Sequence, residues 1–167
     1  MIKKNEKEFK VGDTVVYPKH GVGKIKLIST IEINKMKTQF YTIQMEQAKL
    51  FIRVPLEKQH AVGLRKILSK KKIEEVYNTL KQKPKIRKIM WSRRAQEFDA
   101  KIHSGDPIQI GEVIRDLFRK NNQPEQSYSE RQMYQIALER LAREVAAKEK
   151  TDYFNATGKI ENILYKK

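Results

Sequence analysis

The sequence predicts an α+β protein: a small antiparallel β-barrel followed by an all-α helical half. Two observations predict it. From Phe9 to Val54 apolar residues alternate and β-branched residues cluster between turn residues, whereas after Pro55 the apolar period lengthens from two to 3.6. Strands first and helices after argue for two segregated domains, residues 1–64 and 65–167, joined near residues 56–68. A chain of 167 residues is long enough for one domain or two small ones, each with its own core.

The strand signals are Thr14-Val15-Val16-Tyr17, then Gly21-Val22-Gly23 running into Lys24-Ile25-Lys26-Leu27-Ile28, then Ile31 and Ile33. A polar turn at Asn34-Lys35 leads into Phe40 to Met45, and Leu50 to Val54 follows, which makes four or five short strands joined by tight turns. The glycines flanking Val22 predict a bend or bulge at a barrel corner. Beyond Pro55, Ser69 is placed to cap a helix whose stripe is Ile73, Val76, Tyr77 and Leu80 and which stops before Pro84. Ser92 is placed to cap a second, with Ala95, Phe98 and Ile102 on one face as far as Ser104-Gly105. Asp106-Pro107 opens a third, with Ile110, Val113, Ile114, Leu117 and Phe118 as its stripe. Ser127-Tyr128-Ser129-Glu130 reads as a capping box for a long helix to about Lys148, carrying Met133, Ala137, Leu138, Leu141 and Val145. A last short helix holds Ile160, Ile163 and Leu164.

Composition narrows the function. The net charge is +16 and it is localised: residues 65–94 hold 12 Lys/Arg against 2 acids, while residues 95–167 hold 12 of each. Such a block implies an anionic partner. With no cysteine, disulfides and thiolate chemistry are excluded. Met1 to Lys10 lacks the apolar run of a signal peptide, and no stretch approaches the roughly 18 apolar residues of a membrane span, so a cytoplasmic protein is expected. Membrane-surface binding wants a basic helix with an aromatic apolar face, and Lys70 to Lys83 instead carries an ordinary core stripe.

Enzyme chemistry finds no foothold. His20, His60 and His103 are scattered without metal-ligand spacing, Gly21-x-Gly23 lacks the rest of a dinucleotide motif, and no phosphate-binding loop is present. Glu74 and Glu75 are adjacent and so face different ways on a helix.

The basic block culminates in Lys85-Ile86-Arg87-Lys88-Ile89-Met90-Trp91-Ser92-Arg93-Arg94, which carries the chain's one tryptophan. Lys70-Lys71-Lys72 fits a solvated helix face as well as a ligand site, but the later cluster, Lys81 to Arg94, has no acid, straddles Pro84 and contains Trp91. Nucleic acid is the commonest partner for cations around an aromatic that can stack or pry bases apart. Periodicity leaves Trp91 open between two roles. It stands seven residues before Phe98, as the start of a buried stripe would. With Ser92 as the cap, however, it lies just outside the helix, and its staple partner would be the polar Gln96.

Phe9-Lys10-Val11-Gly12-Asp13-Thr14-Val15-Val16-Tyr17-Pro18-Lys19-His20-Gly21-Val22-Gly23, the strand end Arg53-Val54-Pro55 and the run Trp91-Ser92-Arg93-Arg94 together resemble the CarD/CdnL family of bacterial transcription regulators. Val113-Ile114-Arg115-Asp116-Leu117 and Ser129-Glu130-Arg131 to Leu141 are similar to that family's helical domain, and the resemblance runs from Phe9 to Leu164. The opening motif is shared with the polymerase-interacting domain of transcription-repair coupling factors; the tryptophan motif belongs to CarD/CdnL.

The resemblance implies an N-terminal Tudor-like (SH3-like) antiparallel barrel that binds the β subunit of RNA polymerase through an edge strand and Arg53. It implies a helical domain that contacts promoter DNA at the upstream edge of the bubble and stabilises the open complex. There Trp91 is the wedge, and Arg87, Lys88, Arg93, Arg94 and Arg131 are assigned to DNA. Thr30-Ile31-Glu32 departs from relatives that carry a second polymerase-contacting arginine in that strand. No cofactor, metal, small-molecule substrate or membrane enters this reading, and the expected location is the cytoplasm, at the nucleoid. Two competitors remain: a general RNA- or ribosome-binding basic protein, and an adaptor bridging polymerase to another protein.

Overall fold

The computed structural model describes residues 8–47 and 49–167, so the reading of Met1 to Lys10 falls outside the described residues as far as position 7. The chain divides between Ile67 and Leu68 into two units, the first built on strands and the second on helices, as the alternation and the 3.6-residue period require.

The first unit is one antiparallel sheet of β1 (Thr14–Tyr17), β2 (Gly21–Ile33), β3 (Met36–Met45), β4 (Phe51–Pro55) and β5 (Arg65–Lys66), in the order β4-β3-β2-β1-β5. β5 pairs with β1, Val15 opposite Lys66, so the sheet continues past residue 64. Inward-facing Val15, Ile25, Tyr41, Ile43, Met45 and Val54 bury a core closed by Phe9, Leu56 and Leu64. The Tyr41 hydroxyl inside it accepts from the Phe9 N–H at 3.3 Å and donates to Gln59 Oε1 at 3.2 Å, which fastens the chain before β1 to the turn after β4. β2 and β3 close through Asn34 and Lys35, both left-handed (φ 50° and 63°), the backbone that a two-residue hairpin loop demands.

The expected bend at the two glycines resolves differently. The bulge lies at Lys26, the unpaired residue between Ile25 opposite Ile43 and Leu27 opposite Thr42. Gly23 serves close approach instead: a Cβ there would stand 2.7 Å from Ile43 Cγ2 and 2.8 Å from Met45 Sδ. At that point side chains of the neighbouring strand β3 fill the space a Cβ would take, and only a residue without a side chain fits.

The second unit contains α1 (Lys70–Lys81), α2 (Trp91–His103), α3 (Pro107–Leu117), α4 (Tyr128–Glu149) and α5 (Tyr153–Tyr165) around one apolar core. Ser69, Asp106 and Ser127 cap α1, α3 and α4 as their side chains predict, each accepting a backbone N–H of the first turn, and Asp152 does the same for α5. α2 departs from the expected start. The N–H groups of Arg93 and Arg94 both donate to the Met90 carbonyl at 3.1 Å, so the helix opens on Trp91 with no side-chain cap, and Ser92 lies within its first turn. Every stripe residue of α3 is buried. Arg115 (1% exposed) and Asp116 (4%) are buried beside them and pair at 2.8 Å. No helix among the described residues is long and apolar enough to cross a membrane.

Candidate functional site

The helical unit gathers most of the nucleic-acid candidates at the start of α2. Because that helix begins on Trp91, the indole and Phe98 fall two turns apart on one face, and their rings approach to 6.3 Å at 49°. Trp91 is consequently half-buried: one flank packs on the helical core, and Met90, the residue before it, is exposed. Neither a free-standing indole ahead of a capped helix nor a fully buried stripe residue describes it. The Arg94 guanidinium carbon stands 5.5 Å from the Trp91 ring and 5.7 Å from the Phe98 ring, which braces the indole from the side.

Arg87 is already paired, its Nη1 2.6 Å from Glu97 Oε1. Both partners are largely exposed, where an ion pair is worth about 0–1 kcal/mol, so a phosphate competes for the guanidinium at small cost. Lys88 and Arg93 are exposed. Arg131 is exposed on the first turn of α4 and is not part of this group; it lines a separate depression with Arg119, Lys120 and Gln126. Arg119 in that depression is turned inward, donating to the Asp116 and Phe118 carbonyls and pairing with Glu130.

What positions the basic segment was not among the candidates. The Lys85 N–H donates to Asp116 Oδ1 at 2.9 Å, and Arg115 donates to Gln82 Oε1 at 3.0 Å. The buried Arg115–Asp116 pair therefore staples the connection between α1 and α2 onto α3. Lys167 Nζ donates to the carbonyls of Leu80 and Gln82 at the end of α1. Burial first, and then the Arg115 guanidinium, push the Lys167 ammonium below the usual lysine range. The signal in the sequence was a charge pair set inside the apolar stripe of Ile110, Val113, Ile114 and Leu117. Between the connection, α2 and α3 lies a cavity of about 390 Å³, into which Lys85, Arg87, Arg94, Phe98, Ala100 and Lys101 face.

In the sheet unit, β4 is an edge strand whose inner neighbour is β3. Val54 points into the core, while Phe51 and Arg53 lie on the other face, both exposed. Thr30-Ile31-Glu32 pairs with Gln39, Thr38 and Lys37 in the outer part of the β2–β3 ribbon. Exposed aromatics do occur, Tyr128 at 75% and Phe154 at 82% among them. These two do not share a stacking platform: Tyr128 begins α4 and Phe154 follows its end, about 30 Å away along a 22-residue helix.

Residues 9–68 match the CarD-like/TRCF RID domain, and residues 75–161 match the CarD C-terminal domain. The protein YdeB of Bacillus subtilis (strain 168), whose name proposes a transcription factor, is 28% identical over 137 residues, 82% of this chain and 90% of its own length. The solution NMR structure of the 72-residue N-terminal domain of Myxococcus xanthus CarD is 32% identical, covering 40% of this chain and 91% of that one, with a TM-score of 0.31. CdnLNt, also from Myxococcus xanthus, is 35% identical, covering 39% and 92%, with a TM-score of 0.33. The two family domains, matched in that order over most of the chain, mark a CarD-like transcription factor. The chain belongs to the CarD family.

Proposed function

We infer that this protein binds RNA polymerase through its sheet unit and promoter DNA through its helical unit, and that it stabilises the open promoter complex. The polymerase unit corresponds to the sheet unit, whose β5 carries the boundary from the expected residue 64 to Ile67, and the DNA unit to residues 68–167. Residues at the edge of β4 support the first half. Unpaired backbone N–H and C=O groups there invite strand addition from a partner, here the β subunit, and Arg53 supplies a charge that selects it. Tethering raises the local DNA concentration, so the helical unit needs little affinity of its own.

The observation that carries the reading is the half-buried Trp91 at the start of α2, held by Phe98 and Arg94 beside a run of cations. A wedge must be anchored as well as exposed, or it would fold aside against the base step it enters. Trp91 enters from the minor groove at the upstream edge of the bubble and props the unstacked step, while Lys88, Arg93, Arg87 and, from α4, Arg131 neutralise phosphates. The test pairs two measurements. Arg53→Glu abolishes retention on immobilised polymerase β subunit with the melting curve unchanged, and the wild-type protein lengthens open-complex lifetime. Wild-type retention of Arg53→Glu rejects the assigned edge, and an unchanged lifetime rejects the mechanism.

A further inference from the structure

We propose that the cavity between the α1–α2 connection, α2 and α3 is a binding pocket for a single unpaired nucleotide. Its volume of about 390 Å³ lies at the lower end of the roughly 300–1,000 Å³ typical of small-ligand sites.

Charge bookkeeping within the walls identifies the ligand class. Three carboxylates face the cavity, and each has a cation: Glu97 with Arg87 at 2.6 Å, Glu112 with Lys101 at 2.8 Å, and Asp116 with Arg115 at 2.8 Å. Lys85 and Arg94 are left over. Asp116 accepts from the backbone N–H of Lys85, not from its ammonium, and Arg94 is held by the two aromatic rings. The pocket therefore carries an excess of two positive charges in walls made mostly of carbon, from Phe98, Ala100 and the alkyl stems of the cations. A ligand matching both features has a flat apolar face and a negative charge. A nucleotide has both: the base stacks on the Arg94 guanidinium plane, and its phosphate meets Lys85.

The position of the pocket gives such a ligand a source. Arg94 forms part of the pocket wall and also touches Trp91, so a base displaced from a step wedged by the indole emerges next to this cavity. The proposal rests on the reading of the helical unit as a DNA-binding surface. A free nucleotide offers the same chemistry, and the experiment separates the two.

Trp91, the one tryptophan, reports binding through its fluorescence because Arg94 joins it to the pocket. The full chain is titrated with a short single-stranded oligothymidylate, an abasic strand with the same number of phosphates, a duplex, and thymidine 5′-monophosphate. The base-bearing strand is expected to bind about tenfold more tightly than the abasic one, the worth of one stacked base. Ala100→Phe, which fills the pocket, is expected to remove that preference, and Lys85→Ala to weaken binding of both strands; both positions are exposed, and the melting curve stays in place. Saturable binding of the monophosphate, with the strand no tighter, supports the pocket and assigns it to a free nucleotide. Equal affinity for base-bearing and abasic strands, with no response to the monophosphate, overturns the pocket; retained duplex binding then leaves the DNA-binding surface standing, and loss of all binding removes both.

Discussion

Replacing Trp91 by alanine tests the site most sharply, because the half-buried ring ties folding and function to one side chain. A tryptophan buries about 150–250 Å² when fully packed, so losing roughly 100 Å² of contact with Phe98 and the core costs about 2.5 kcal/mol at about 25 cal/mol/Å². That lies below the roughly 3–5 kcal/mol of a fully buried aromatic and above the roughly ±0.5 kcal/mol of a surface site. In a unit of this size the melting midpoint drops by on the order of 10 °C, with the protein still folded at 25 °C. At that temperature open-complex lifetime falls by at least about tenfold, since propping an unstacked step is worth a few kcal/mol. Trp91→Phe keeps a packed ring of smaller area and falls between on both readouts. Calorimetry and promoter-complex dissociation on the same preparations make the measurement. A melting curve unmoved by Trp91→Ala refutes the packing argument, and a wild-type lifetime from folded Trp91→Ala protein refutes the wedge.

Three further outcomes follow from the packing and the titrating groups. Gly23→Ala drives a methyl into Ile43 and Met45 and destabilises the sheet unit by about 1–3 kcal/mol, read as a lower denaturation midpoint with an unchanged slope. Asp116→Asn leaves the Arg115 guanidinium buried without its counter-charge and weakens the anchor of Lys85; a stability loss of about 3–5 kcal/mol is expected, with faster amide exchange at Lys85. Tyr77 is pushed up to about 12, by burial first and then by the Glu149 carboxylate that its hydroxyl approaches at 3.5 Å. Its folded pKa exceeds its unfolded value of 10.0, so its contribution is complete below pH 10 and is lost as pH rises toward 12. Tyr77→Phe flattens stability against pH in that window, and an unchanged slope contradicts the assignment. Tyr134, also raised by burial, retains a slope of its own.

The sequence by itself determined the segments of β1 to β4 and the presence of all five helices, where α1, α3 and α4 begin, and where the cations concentrate. These are local properties. The stripe Ile73, Val76, Leu80 and the cap Ser69 lie within one helix, and the Asn34-Lys35 loop is written in two adjacent residues. Resemblance to CarD/CdnL supplied the assignments of Trp91 and Arg53, which periodicity left open or could not reach.

Tertiary structure decided what depends on a partner distant along the chain. Ser92 is a good cap on local grounds, yet α2 begins at Trp91, where the ring gains a flank of the core and Phe98. The bulge falls at Lys26 and not at the glycines, because Gly23 must pass close to Ile43 and Met45 of the neighbouring strand. Lys85 is fixed by Asp116, thirty-one residues away, and the edge position of β4 is a property of the strand order. Periodicity records the intervals within an element and carries no term for the element packed across from it. For that reason Trp91 stood out in the sequence as a candidate, while its brace and the neighbouring cavity did not.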